Sequence, residues 1–152
     1  MAGSLTSTMC TSFKKELMTA THNFTLTTGH TIKCALFRAG ASLVGTYGAA
    51  TTNYSDMTGN SDEVTGAGYS AGGVTLTNAT PTTSGTTAIA DFNDPAWAAS
   101  TVTARGALLY NSSASNKAIA VIDFGADKVT SGATFIVILP TADATNAIVR
   151  LV

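Results

Sequence analysis

Residues 103–125, TARGALLYNSSASNKAIAVIDFG, are two apolar runs joined by a short polar loop. The loop SSASN, residues 112–116, has the length and turn-forming composition of a β-hairpin connection. In the second arm Ile119, Val121 and Asp123 alternate with Ala120, Ile122 and Phe124. Both alternate sets are largely apolar, so this strand is predicted to be central and covered on both sides. Gly106 lies inside the first arm, where a missing side chain lets another backbone or a large ring approach. Trp97, the sole tryptophan, is the candidate ring. Arg105 heads the same arm. It is predicted either to pair with Asp91, Asp94 or a carbonyl at the rim, or to grip a neighbouring subunit.

The same beat continues on either side of the hairpin. TIKCALFR (31–38), GVTLTNA (73–79), TTAIADF (86–92), ATFIVILP (133–140) and NAIVRLV (146–152) are strand-length runs. Pro81, Ser84-Gly85, Asp94-Pro95 and Ser131-Gly132 punctuate them as turns. Between 40 and 72 glycines cut the chain into short pieces, with short strands predicted around VGTY (44–47) and DEVTG (62–66). Only SFKKELMTATHNF (12–24) has helical spacing, with Phe13, Leu17, Ala20 and Phe24 on one face. Thr11 or Ser12 is the expected cap of that helix. Short strands at this spacing with no helix between them predict a mainly β fold. The expected form is an antiparallel, jelly-roll-like β-sandwich over residues 13–152, with one N-terminal helix and a flexible arm over residues 1–12.

The chain has 152 residues, the size of one domain with a full core. Only 11% of residues are charged and the net charge is −1, against about 25% charged in an ordinary soluble domain. No electrostatic field is available for nucleic acid or an anionic membrane, so neither is an expected partner. A near-neutral surface resists self-association weakly and suits a protein that lives in an assembly. The first ten residues, MAGSLTSTMC, lack the basic start and apolar core of a signal peptide, which predicts folding in a cytosol. Cys10 and Cys34 are too few and too far apart in sequence for a disulfide framework or a zinc site and read as partly buried, reduced thiols.

Candidate chemistry falls short at each place where it is suggested. His22 and His30, the only histidines, have no further ligand at zinc spacing. Asp91 and Asp94 in DFNDP lack the alternating oxygens of a calcium loop. The glycines of GAGYSAGG (66–73) open a Thr-rich strand rather than a helix, so they are turn material and not a phosphate cradle. No serine lies in a nucleophile elbow. The chain is therefore expected to be no enzyme and to need no cofactor or metal.

EVTGAGYSAGGVTL (63–76) and the run from Pro81 to Gly125 resemble a family of small structural proteins of tailed bacteriophages. The matching positions are Gly66, Gly68, Tyr69, Ala71, Gly72 and Gly73, then Trp97, Thr103 to Ala107, Tyr110 and Asn111, then Ala120, Val121 and Asp123 to Gly125. The likeness extends from about Ser12 to the end of the chain. It implies a virion component assembled in the host bacterial cytoplasm. The expected role is a head decoration or cement protein that binds the major capsid protein and forms a dimer or trimer. A tail-associated adaptor or tail-fibre component is the alternative, and a host-glycan-binding β domain that uses Trp97 is a second. Leu5, Met9 and Arg105 are the expected subunit contacts, with the N-terminal arm and Gly-rich loops doing the docking.

Overall fold

Residues 3–152 are described by a computed structural model. In chain order the strands and helices are β1 (Ser4–Leu5), β2 (Thr8–Met9), α1 (Thr11–Met18), β3 (Ile32–Arg38), β4 (Thr46–Tyr47), α2 (Tyr54–Gly59), β5 (Val74–Thr75), β6 (Thr82–Ser84), β7 (Thr87–Ala90), β8 (Ala96–Asn111), β9 (Lys117–Ile136) and β10 (Val149–Leu151). One antiparallel sheet runs β2-β9-β8-β3-β5 and a second runs β10-β7-β6, while β1 and β4 form a parallel pair. The mainly β, antiparallel architecture with an N-terminal helix is as expected, and α2 is an addition to it. Two antiparallel sheets are the raw material of a sandwich, but these pairings do not establish a jelly-roll order.

The 103–125 stretch is the predicted hairpin. Ser112–Ala114 make a 3-10 turn, the Asn111 side chain accepts the Ala114 N–H, and Ser115 and Asn116 take left-handed φ values of 55° and 60°. Short polar side chains tolerate that region best, which is why this pentapeptide can turn the chain. Leu108 and Leu109 of β8 and Ile119 and Val121 of β9 are fully buried with Ile32, Leu36 and Phe37 of β3. The ladder runs much further than predicted, from Asn111↔Lys117 to Ala96↔Ile136, so that the first half of ATFIVILP is the far end of β9 rather than a separate strand. Between Ala104↔Lys128 and Gly106↔Asp123, residues 124–127 of β9 face Arg105 alone, a wide bulge with Gly125 at φ 74°.

Four expectations need correction. The N-terminal segment is not a free arm from residue 3 onward. Ser4 and Leu5 pair with Thr46 and Tyr47, Thr8 and Met9 pair with Val121 and Ala120, and Cys10 is fully buried. Spaced apolar residues let this polar segment cross the sheet as a strap. Second, what closes on Gly106 is the β9 backbone together with the strap, and not Trp97: a Cβ there would lie 2.2 Å from the Ile122 carbonyl oxygen and 2.5 Å from Leu5 Cδ1. Third, α1 stops at Met18 and neither Thr11 nor Ser12 caps it, because the N-cap is Cys10, which offers no side-chain bond. Phe24 reaches Phe13 from the loop beyond, with ring centroids 6.0 Å apart. Fourth, DEVTG forms no strand and contributes a single bridge, Phe37↔Glu63.

Candidate interaction face

Apolar cover over β9 ends abruptly. Residues 118–121 are buried, whereas Ile122 and Phe124 are half-buried and most of 125–136 is exposed. The prediction of a strand covered on both faces therefore holds only next to the hairpin. Beside Ile122 lies a groove of about 460 Å³ whose walls include Phe124, Lys128, Val129, Phe135 and Ile138. A second groove of about 460 Å³ shares Ile122 and Ile138 and continues past Met9, Pro140, Ile148 and Val152. Val129 is 69% exposed, Ile136 53% and Ile138 81%. The two grooves together form a largely apolar surface with exposed branched aliphatic side chains and two cations, Lys128 and Arg150, among its walls, a surface that costs free energy while it faces water.

The three expected contact residues fall in different places. Met9 is half-buried and lines the second groove. Leu5 is buried against Gly106. Arg105 Nε donates to Asp123 Oδ1 at 2.8 Å, and Asp123 rather than Asp91 or Asp94 is its partner. That hydrogen bond holds the Asp123 carboxyl below its ordinary range, despite some burial. Arg105 and Leu5 do meet, at a hollow of about 130 Å³ shared with Gly40 and Leu43.

The other motifs resolve into structural roles. Asp94 Oδ1 accepts the Leu139 N–H at 2.8 Å and pins the chain as it leaves β9. Tyr69 of GAGYSAGG accepts the Leu36 N–H and donates to Glu63 Oε1, while the Gly72 N–H donates to the same oxygen. Gly73, at φ +67°, presses so close to β3 that a Cβ would meet the Cys34 carbonyl. Burial pushes the Cys10 thiol up to about 12 and raises Cys34 as well, so both are poor nucleophiles. Trp97 is only 3% exposed, between Tyr69 and Phe135. Among the described residues, no group of three or more His, Cys, Asp or Glu side chains could hold a metal ion. Likewise no described helix is long and apolar enough to cross a membrane.

Two adjacent acids carry the loop-rich side of the molecule, and the sequence reading missed both. Asp62 accepts from the Val44 and Gly45 amides, from the Tyr47 hydroxyl at 2.6 Å and from Arg38 Nε at 3.1 Å. Burial raises its carboxyl, but those donors outweigh burial and hold it below the ordinary range. Glu63 gathers the hydroxyls of Tyr54 and Tyr69. With every oxygen occupied, these acids tie loops together and leave little for chemistry.

No family model matches the chain, and neither a curated protein nor a solved structure is significantly similar to it.

Proposed function

We propose that this chain is a structural component of a tailed-bacteriophage particle, and specifically a head decoration or cement protein. In this reading it acts by binding and not by catalysis. It oligomerises on the shell and bridges neighbouring major capsid subunits, stabilising the assembled state because it binds that state alone. The observation that carries the reading is the apolar surface of the two grooves along β9, with Val129 and Ile138 largely in water. Such a face is a liability on a free monomer and is covered in an assembly. The resemblance of residues 63–125 to phage structural proteins supplies the kind of assembly. The docking parts are then Met9 and the β9 rim. The rest of the N-terminal strap is already paired within the fold and is not a free docking arm. A glycan-binding role loses its aromatic platform, because Trp97 is buried.

Copy number in the purified particle tests the proposal. Hundreds of copies fractionating with heads, counted against the major capsid protein by mass spectrometry, is the expected result. About a dozen copies travelling with tails would assign the chain to an adaptor or fibre and overturn the capsid role.

A further inference from the structure

Five polar side chains from separate parts of the chain meet where α1 rests on the end of the β8–β9 hairpin. Lys117 Nζ, at the start of β9, donates to Glu16 Oε1 of α1 at 2.7 Å. Glu16 Oε2 lies 2.8 Å from His22 Nε2. On the other side of that ring, His22 Nδ1 is 2.9 Å from Asn111 Nδ2, at the end of β8. The same Asn111 nitrogen is 2.9 Å from His30 Nδ1. The side chain of His22 is fully buried, as is Asn111. The His22 ring also packs edge-on against Phe13 and stacks on Phe24.

Proton positions follow from the partners. Asn111 Oδ1 accepts the Ala114 N–H at 3.1 Å, which fixes the amide with its NH₂ toward both rings. Each imidazole must then present a lone pair at Nδ1, and His22 carries its proton on Nε2, donating to Glu16. One NH₂ group serves two acceptors and has no hydrogen to spare. A proton added to either Nδ1 sets N–H against N–H, with the Asn111 oxygen committed elsewhere. Around His22, Glu16 favours a charged ring while Lys117 and His30 oppose it. Burial among Phe13 and Phe24 is the larger effect, and it holds His22 below the ordinary imidazole range.

We infer that this cluster is an acid-sensitive latch: the neutral imidazole of His22, tied to His30 through the Asn111 amide, holds α1 and residues 19–31 on the hairpin, and protonation of His22 releases them. For His22 the sign follows from its lowered value. The closed form rejects the proton that the open form accepts, so the latch is fully closed above the ordinary value of 6.5 and weakens as pH falls below it. Glu16 stays ionised through that window. Burial raises its carboxyl, but the bonds from Lys117 and His22 outweigh burial and hold it low. Release would uncover Phe13 and Phe24, both buried when the latch is closed.

Hydrogen–deuterium exchange of the full chain at about pH 7.5 and about pH 5.0 tests this, because the chain has no histidines but these two. Protection factors over residues 11–31 should fall about tenfold at the lower pH, against a ceiling of about thirtyfold for one imidazole held neutral. Those over residues 104–110 should not change. In the His22→Gln, His30→Asn double variant the fall should vanish, since Gln keeps an N–H for Glu16 and Asn keeps an acceptor for Asn111. Equal protection at both pH values in the natural chain overturns the latch, as does an equal fall in the double variant. Should the variant not fold, ¹⁵N spectra of the natural chain decide. Neutral Nε2–H rings with His22 titrating below its ordinary value support the latch, and an Nδ1–H ring at either position refutes it.

Discussion

The two ends of the β8–β9 ribbon are built from similar residues and meet opposite fates. At the hairpin end Leu108, Leu109, Ala118, Ile119 and Val121 are buried on both faces. At the open end Trp97, Ser100 and Val102 of β8 and Phe135 of β9 are buried, but Val129 and Ile136, paired with Thr103 and Ala96, stand in water. Neighbours make the difference. The hairpin end has β3 along β8 as far as Ala104 and β2 against Ala120 and Val121, and α1 is tied to it through Glu16 and Lys117. Among the described residues no strand pairs with the outer edge of Lys128–Ile136. Bulges at 124–127 and near Gly132 interrupt the ladder in that half of the ribbon. One half of the ribbon is buried on both faces, whereas the other buries one face and presents the second.

If that division is right, truncations at the two ends should differ by far more than their chemistry does. Leu109→Ala, at the fully buried end, should cost about 3.5 kcal/mol, read as a lower urea midpoint with an unchanged m-value. A loss under about 1 kcal/mol would mean that the hairpin end is not the core.

The hairpin end also depends on the loops that anchor its strap, and Asp62 is their knot. Asp62→Asn turns an acceptor-only carboxylate into a group that must place an NH₂ among donors, and should cost about 2.5 kcal/mol. Because the carboxyl is held low in the fold, its contribution is present above its ordinary value of 3.8 and is lost as pH falls toward the folded value. Acid unfolding of the natural chain should carry that step and the Asn variant should not. A variant with the same acid profile would remove Asp62 as the anchor.

The strap comes next in size. Leu5→Ala opens the seat over Gly106 and should cost about 2 kcal/mol by thermal or urea unfolding. A free arm would lose nothing, so a neutral result would restore the flexible N-terminus that the sequence suggested.

That contrast shows what the sequence disclosed and what it hid. Strands β3, β4, β5, β7, β8, β9 and β10 are legible because each lies within a β-branched or apolar run bounded by turn formers, even where the paired part is only two residues long. β1 and β2 lie in the polar segment 1–12, where no such run stands out. In the sequence Asp62 and Glu63 fall within the short strand expected around DEVTG. Their real partners come from residues 44–47, 54, 69 and 72, through backbone amides and tyrosine hydroxyls that leave no spacing rule. The hairpin loop was read correctly, yet the latch it helps form was not, since His22, His30 and Asn111 are brought together only by the fold. Of the apolar face, Met9 was singled out in advance and Val129, Ile136 and Ile138 were not. A signal did exist. Phe135 to Leu139 are apolar without a break, whereas an edge strand with one wet face should alternate.

The smallest effect on stability is the sharpest test of function. Ile138 is 81% exposed, so Ile138→Ser removes little buried area and should shift stability by under about 0.5 kcal/mol. In the proposed role the same side chain enters a partner's surface, where loss of an aliphatic anchor costs about 1–2 kcal/mol, a roughly tenfold weaker affinity for the shell. Co-sedimentation of the purified variant with heads stripped of this protein would read that change directly. A variant that folds like the natural chain and binds heads poorly would make the open end of the ribbon the docking face. Equal binding by both chains would move docking elsewhere, and the hollow where Leu5 meets Arg105 would be the next place to substitute.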